Sequence, residues 1–157
     1  MRQIPGYSLW IGHVGDTWDL RGVLNAGILA VVDLAVNEPP AAVTRELAYL
    51  RFPLVDGTGN ATWLLRSAVE AVTGLIRSQT PTLVYCSNGL SRSVCIAAAA
   101  LAKTRQFSPT DGMRLVGGTG PADVSPRLWT EIVESVFGND GIIRPRDLVG
   151  EAGEDLP

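Results

Sequence analysis

The sequence predicts a single α/β domain with a central, mostly parallel sheet flanked by helices. Short runs of branched apolar residues, such as ILAVVDLAV, alternate with longer segments whose apolar residues recur at helical spacing, as across residues 61–78. Strands in a parallel sheet have this continuous apolar character because helices cover both of its faces. The chain of 157 residues has the length of one domain, and no repeat or change of composition divides it.

Each element is predicted from a local signal. Strands are predicted at YSLWIG, ILAVVDLAV, YLRFPLV and TLVYC, and Pro53 places the third of these at a sheet edge or near its end. Helices are predicted at DTWDLRGVLNAG, briefly within EPPAAVTRELA, at residues 61–78, in SVCIAAAALAKT, and at residues 109–116 and 126–137. Asp16 or Thr17 is expected to cap the first helix, and serine followed by proline starts the last two. The predicted core faces include Trp10, Trp18, Trp63 and Trp129.

Composition excludes several classes of protein. A net charge of −3 without a basic block argues against nucleic acid or an anionic membrane as a partner. The longest apolar run, residues 94–102, is shorter than the ~20 residues that span a bilayer, and MRQIPGYSLW lacks the apolar core of a signal peptide. Two cysteines do not make a disulfide framework, so a cytoplasmic location is expected.

The most informative segment is TLVYCSNGLSRSVCIAAAAL, in which a strand ends at Cys86 and Arg92 opens an apolar helix. A strand–loop–helix unit directs the amides of its loop and helix N-terminus into one concavity, which binds phosphate-like anions. Gly89 permits a left-handed backbone there, and Arg92 presents a planar fork to two phosphate oxygens. The same field favours the nucleophilic thiolate form of a cysteine. The segment therefore predicts phosphoryl transfer through a cysteinyl phosphate.

This chemistry also needs a proton for the departing oxygen. His13 is the only histidine and is far from the segment in sequence, so the best acid is Asp56, which opens the flexible loop DGTGN. The alternative reading is that Asp56 caps a turn, in which case Asp123 is the next candidate. The Ser93 hydroxyl is placed to hydrogen-bond the sulfur. Cys95 is interpreted as a small core residue.

The segment YCSNGLSRS resembles the H-C-x-x-G-x-x-R-[ST] signature of the cysteine-dependent protein tyrosine phosphatases, and in particular their small dual-specificity branch. The resemblance extends over residues 4–138 and includes YLRFPLVDGTGN, which resembles that branch's general-acid segment. Residues 1–138 are accordingly interpreted as a catalytic domain. Residues 139–157 are polar, contain glycine and proline and have little to bury, and they are interpreted as a mobile tail. The resemblance implies Cys86 as nucleophile, Arg92 as phosphate binder, Asp56 as general acid and base, and Ser93 as helper. It implies backbone phosphate contacts from Ser87, Asn88, Gly89, Leu90, Ser91 and Arg92.

Two features of the motif bear on activity and substrate. Tyr85 stands where the family usually has a histidine that orients the loop and tunes the thiolate. The loop SNGLS lacks the lysines of phosphoinositide-directed relatives, so a phosphorylated protein or peptide is expected ahead of inositol lipids and RNA 5′-triphosphates. No clustered His, Cys or carboxylate set predicts a metal, and no cofactor is expected.

Two other functions remain open from the sequence. A rhodanese-type sulfurtransferase also has a loop that starts with cysteine and closes with arginine, although that loop is commonly one residue shorter. A non-catalytic pseudophosphatase would keep the same fold as a phosphate-binding module. The intact set of Cys86, Arg92 and Asp56 favours the enzyme.

Overall fold

A five-stranded sheet lies at the centre of the structure, a computed structural model that describes residues 1–138. Its strands are β1 (Arg2–Gln3), β2 (Leu9–His13), β3 (Ala30–Asp33), β4 (Ala48–Arg51) and β5 (Thr82–Cys86). They lie in the order β1-β2-β5-β3-β4, and all neighbours pair in parallel except β1 with β2. The predicted fold class is confirmed, β4 lies at the predicted edge, and β1 is an addition. The predicted tail lies outside the described residues.

Helices flank the sheet, close to the predicted positions. They are α1 (Leu20–Asn25), α2 (Thr62–Arg77), α3 (Arg92–Arg105), α4 (Pro109–Gly117) and α5 (Pro126–Phe137). The first predicted helix is divided into a 3-10 turn, Val14–Trp18, and α1. Asp19, rather than Asp16 or Thr17, caps α1 by accepting a hydrogen bond from the Gly22 amide.

The helix predicted within EPPAAVTRELA is wrong. Residues 38–47 form no helix and contain only short turns, such as the one closed by the Leu47 amide on the Thr44 carbonyl. Adjacent prolines at 39 and 40 lack amide hydrogens and disfavour helical backbone in the residue before each of them. The segment therefore crosses the surface as a loop.

Two apolar clusters cover the two faces of the sheet. Val84 and Cys86 of β5 belong to the larger cluster, which includes residues of α2, α3, α4 and α5. Leu83 and Tyr85 belong to the smaller cluster, which includes Val23 of α1. Because alternate residues of a strand face opposite sides, Cys86 and its neighbour Tyr85 are directed into different halves of the protein.

The central helix α3 is buried along residues 92–102, and its alanines allow α4 to approach closely. A Cβ atom on Gly112 of α4 would lie 2.5 Å from the Ala98 carbonyl oxygen and 2.9 Å from the Ala102 Cβ. The serine caps predicted for the last two helices are present, since the Ser108 and Ser125 side chains accept from the amides of Asp111 and Leu128.

Two of the four tryptophans are not in the core. Trp10 and Trp129 are half-buried against the two clusters, whereas Trp18 is 82% and Trp63 is 68% exposed. Trp18 lies in the 3-10 turn, so the α-helical spacing that placed it on a core face does not apply there. Trp63 lies in the first turn of α2 and is directed away from the sheet.

The contact between α3 and α4 predicts opposite effects for two glycine substitutions. Gly112→Ala should lower the free energy of unfolding by about 1–3 kcal/mol, because the added methyl group meets backbone that cannot move aside. Gly74→Ala in α2 should raise it by about 0.5–1 kcal/mol, because its Cβ meets no other atom within 4 Å and alanine favours helix. Urea denaturation of both variants measures these changes, and equal effects would contradict the close packing.

Candidate active site

The loop from β5 to α3 packs closely against the backbone of β2, with Gly89 lying on Gly12. Cys86 ends β5 opposite His13 of β2, and residues 87–91 lead to the first residue of α3. Gly89, in the middle of this loop, has φ +71°, and a Cβ atom there would lie 2.8 Å from the Gly12 carbonyl oxygen. Both the left-handed backbone and the close approach require glycine at position 89. The loop is thereby folded back over the end of β2.

The Cys86 sulfur lies under this loop, with two hydrogen-bonding groups beside it. Cys86 is 2% exposed, and the Gly89 amide donates to its Sγ atom at 3.3 Å. The Ser93 Oγ atom lies 3.4 Å from the same sulfur. A negatively charged sulfur accepts hydrogen bonds from both groups.

The N-terminus of α3 has no side-chain cap. Ser91 occupies the cap position, but its hydroxyl donates to Asp56 Oδ1 at 2.6 Å and accepts from the Ser125 amide at 3.0 Å. Ser108 and Ser125, in contrast, cap their own helices. The first-turn amides of α3 are therefore left for another acceptor, at the positive end of the helix dipole.

Arg92, the first residue of α3, is 6% exposed and is fixed by two partners. Its Nη1 donates to the Leu54 carbonyl at 3.1 Å, and its Nη2 donates to the Ser87 hydroxyl at 2.7 Å. Its Nε is buried and donates to no acceptor in the described part of the chain. An unpaired buried donor is costly, and an oxyanion bound at the loop would satisfy it.

Glu38 adds a carboxylate to this arrangement that the sequence did not indicate. The Ser87 hydroxyl donates to Glu38 Oε2 at 2.9 Å, so Arg92, Ser87 and Glu38 form a chain of hydrogen bonds. The Glu38 carbonyl in turn accepts from Arg51 of β4 at 3.0 Å. The link joins residues 49 positions apart, and only the folding of the β3–β4 loop over the site brings them together.

Asp56 lies in a loop that is held in place, whereas the sequence predicts a flexible one. The Asn60 side chain accepts from the Val55 amide at 2.8 Å and donates to the Gly57 carbonyl at 3.2 Å, which closes the loop on itself. The Glu131 carboxylate of α5 accepts from the Gly59 amide at 3.0 Å and the Asn60 amide at 3.3 Å. Asn60 is the last residue of the loop DGTGN, but the sequence predicted a functional role for neither Asn60 nor Glu131.

Tyr85 is directed away from the sulfur, on the other face of the sheet. It is buried beside Asp33 and Tyr49, and the Tyr49 hydroxyl donates to the Asp33 carboxylate. Burial first, and then the Asp33 carboxylate, raise the pKa of the Tyr85 hydroxyl, so the side chain is neutral. Asp33 also accepts from the Ala35 amide at 2.8 Å and lies 3.4 Å from Arg51 Nε, as a structural acid does.

Two further residues considered from the sequence are Cys95 and Asp123. Cys95 is fully buried one helical turn after Ser91, and burial, with smaller contributions from Asp56 and Cys86, raises the pKa of its thiol to about 12. Asp123 meets the loop through its backbone amide, which donates to the Leu90 carbonyl at 2.9 Å.

Residues 1–138 contain no group of three potential metal-binding side chains and no helix that could span a membrane.

The sequence and the fold are similar to those of known proteins. A sequence model of the dual specificity phosphatase catalytic domain matches residues 9–134. Human dual specificity phosphatase 28 is 26% identical over 127 residues, which cover 80% of this chain and 72% of that protein. The crystal structure of human DUSP28 has a TM-score of 0.71 at 25% identity and covers 82% of this chain and 90% of that chain.

A second solved structure is equally similar. It is a mouse putative dual specificity phosphatase complexed with zinc tungstate, with a TM-score of 0.72 and 25% identity over 82% of this chain and 81% of that chain. The match over most of the sequence shows that the chain belongs to the dual specificity phosphatase family. Membership of this family implies a phosphatase that acts on phosphoproteins.

Proposed function

We propose that this protein hydrolyses phosphotyrosine, and also phosphoserine and phosphothreonine, through a phosphate ester of Cys86. The observation that carries the proposal is that a buried nucleophile and two sets of hydrogen-bond donors without partners meet where the β5–α3 loop joins α3. These are the Cys86 sulfur, the uncapped amides at the start of α3 and the unpaired Nε of Arg92. A phosphate group is an acceptor for the donors and an electrophile for the sulfur.

In the first step, the phosphate binds to the loop amides of residues 87–92 and to the Arg92 guanidinium. The Cys86 thiolate attacks phosphorus, a sulfur–phosphorus bond forms, and the bond from phosphorus to the ester oxygen breaks. The departing oxygen takes a proton from Asp56. The Ser91 hydroxyl occupies Oδ1 of that carboxyl group, so Oδ2 is the oxygen that carries the proton.

In the second step, water attacks the phosphorus atom and Asp56, now ionised, accepts its proton. The sulfur–phosphorus bond breaks, and the thiolate is released with the Ser93 hydroxyl 3.4 Å away to donate a hydrogen bond. The products are the dephosphorylated hydroxyl and inorganic phosphate. These two reaction steps need no metal, because the loop amides and Arg92 stabilise the charge on the transferred group.

Two observations support a phosphorylated protein as substrate. The loop side chains of Ser87, Asn88, Leu90 and Ser91 are uncharged, so they offer no cations for a highly charged inositol or triphosphate group. The related mouse protein is complexed with zinc tungstate, and tungstate, like phosphate, is a tetrahedral oxyanion. The proposed reaction therefore concerns single phosphate esters.

Cys86→Ser should abolish turnover of an aryl phosphate while retaining phosphate binding, because the field that favours a thiolate does not ionise a hydroxyl. Arg92→Ala should lose both binding and turnover, since the guanidinium contacts the oxygens in ground and transition states. Steady-state kinetics and phosphate titration of the folded variants measure these effects.

Orthovanadate should inhibit the wild type and EDTA should not. Activity that survives Cys86→Ser, or that chelation removes, would exclude the mechanism.

Asp56→Asn should slow turnover of phosphopeptides by roughly 10²–10⁴-fold, because the alkoxide or tyrosyl oxygen then leaves without a proton. The loss should be much smaller for an aryl phosphate whose phenol is acidic enough to leave as an anion. Parallel kinetics with the two kinds of substrate test the assignment. Equal losses on both would move the role of the acid to another residue, and Asp123→Asn is the matched variant to compare.

Tyr85→His should raise kcat for the aryl phosphate about three- to tenfold at mildly acidic pH. Burial disfavours a charged histidine at this position, but the neighbouring Asp33 carboxylate favours it, and a positive charge near the end of β5 favours the Cys86 thiolate. Tyr85→Phe removes only a neutral hydroxyl and is the control. Profiles of kcat against pH for both variants give the result, and identical profiles would show that position 85 does not tune the nucleophile.

A further inference from the structure

A cleft beside residues 87–91, the proposed phosphate-binding loop, takes no part in the proposed chemistry. It has a volume of about 510 Å³, and none of Cys86, Arg92 and Asp56 lines it. One wall is the 3-10 turn Val14–Trp18 with Leu20, and the other is the β3–β4 loop at residues 38–42. Its size is that of a site for a small ligand or a side chain.

Both walls of this cleft are attached to the same residue of the phosphate-binding loop. The Val14 amide donates to the Ser87 carbonyl at 3.4 Å, and the Ser87 hydroxyl donates to the Glu38 carboxylate at 2.9 Å. Ser87 directly follows Cys86 in the chain. The cleft therefore begins next to the site where the phosphate would bind, and a peptide held there by its phosphate extends within reach of it.

The lining of the cleft suits an apolar side chain. Trp18 is 82% exposed, and an exposed ring of this size beside two prolines is a surface on which another apolar group can be buried. The turn that carries Trp18 is held by Asp16, whose carboxylate accepts from the His13 amide at 2.9 Å. A preformed wall of Pro39 and Pro40 loses little conformational freedom on binding.

The charge of the cleft narrows the choice of occupant. Glu38 is the charged residue among those that line it, and no lysine or arginine does so. A second phosphate, a lipid headgroup or an acidic side chain in the cleft would meet the Glu38 carboxylate and no cation of the lining. An apolar residue of a polypeptide meets only the aromatic and proline surfaces.

We propose that this cleft binds an apolar side chain, of the size of leucine or phenylalanine, that lies within a few residues of the phosphorylated residue of the substrate. This inference rests on the proposed function, and it specifies the substrate as a polypeptide with an apolar residue near its phosphate. An acidic residue at the same position is disfavoured by Glu38.

A series of phosphotyrosine peptides tests the inference. A single leucine is moved through the three positions on either side of the phosphotyrosine in an otherwise alanine and glycine background. With wild-type protein, one position should lower KM about tenfold relative to alanine, with kcat unchanged, and glutamate there should raise KM. Trp18→Ala should remove the preference for leucine. Phe107→Ala is the control and should keep the preference, because Phe107 is an aromatic residue, 41% exposed, that lies just after the C-terminal end of α3.

A binding measurement separates this inference from the proposed function. Fluorescence polarisation with Cys86→Ser reports the affinity for labelled leucine, alanine and glutamate peptides without turnover. Equal affinities for the three peptides at every position, with aryl phosphate still hydrolysed by the wild type, would overturn the cleft and leave the phosphatase. A leucine preference that depends on Trp18, without hydrolysis of any substrate, would support the cleft and overturn the phosphatase. A dimer that Trp18→Ala converts to monomer, measured by sedimentation, would show that a second copy occupies the cleft instead.

Discussion

The helix α3 begins inside the protein without a cap, and the arrangement of the site follows from this. A helix N-terminus carries about half a positive charge and several amides without partners, and burying it without an acceptor is unfavourable. Ser91 stands at the cap position but gives its hydroxyl to Asp56. The first-turn amides of α3 are thus left without a side-chain acceptor, and Asp56, the general-acid candidate, is held beside them by the residue that would have been the cap.

The rest of the fold keeps this unfavourable start in place. β5 is the middle strand of the sheet, and the α3 helix that follows it is buried along most of its length. Gly112 allows α4 to pack against the α3 backbone, and Gly89 allows the loop to lie on the Gly12 carbonyl. Movement of the loop would require displacement of either β2 or α3, and both are part of the core.

Two acidic residues from distant elements connect the site to its surroundings. Glu131 of α5 binds the amides of the Asp56 loop, and Glu38 of the β3–β4 loop binds Ser87, which also holds Arg92. The first connection orients the loop that carries Asp56, the proposed general acid. The second links one wall of the neighbouring cleft to Arg92, the proposed phosphate binder, so the shape of the cleft and the position of Arg92 depend on the same hydrogen bonds.

Local patterns in the sequence determined the α/β fold class, the boundaries of the long helices, the serine caps, and the strand–loop–helix unit that contains Cys86, Gly89 and Arg92. These features depend on residues close together in the chain, so hydrophobic periodicity and cap residues are enough to predict them. The tertiary structure alone decided the positions of Glu38, Glu131 and Trp18. The first two act across 49 and 71 residues of chain, where no local pattern records the contact. Trp18 is exposed because the chain forms a 3-10 turn there, in which the α-helical period that placed it in the core does not hold.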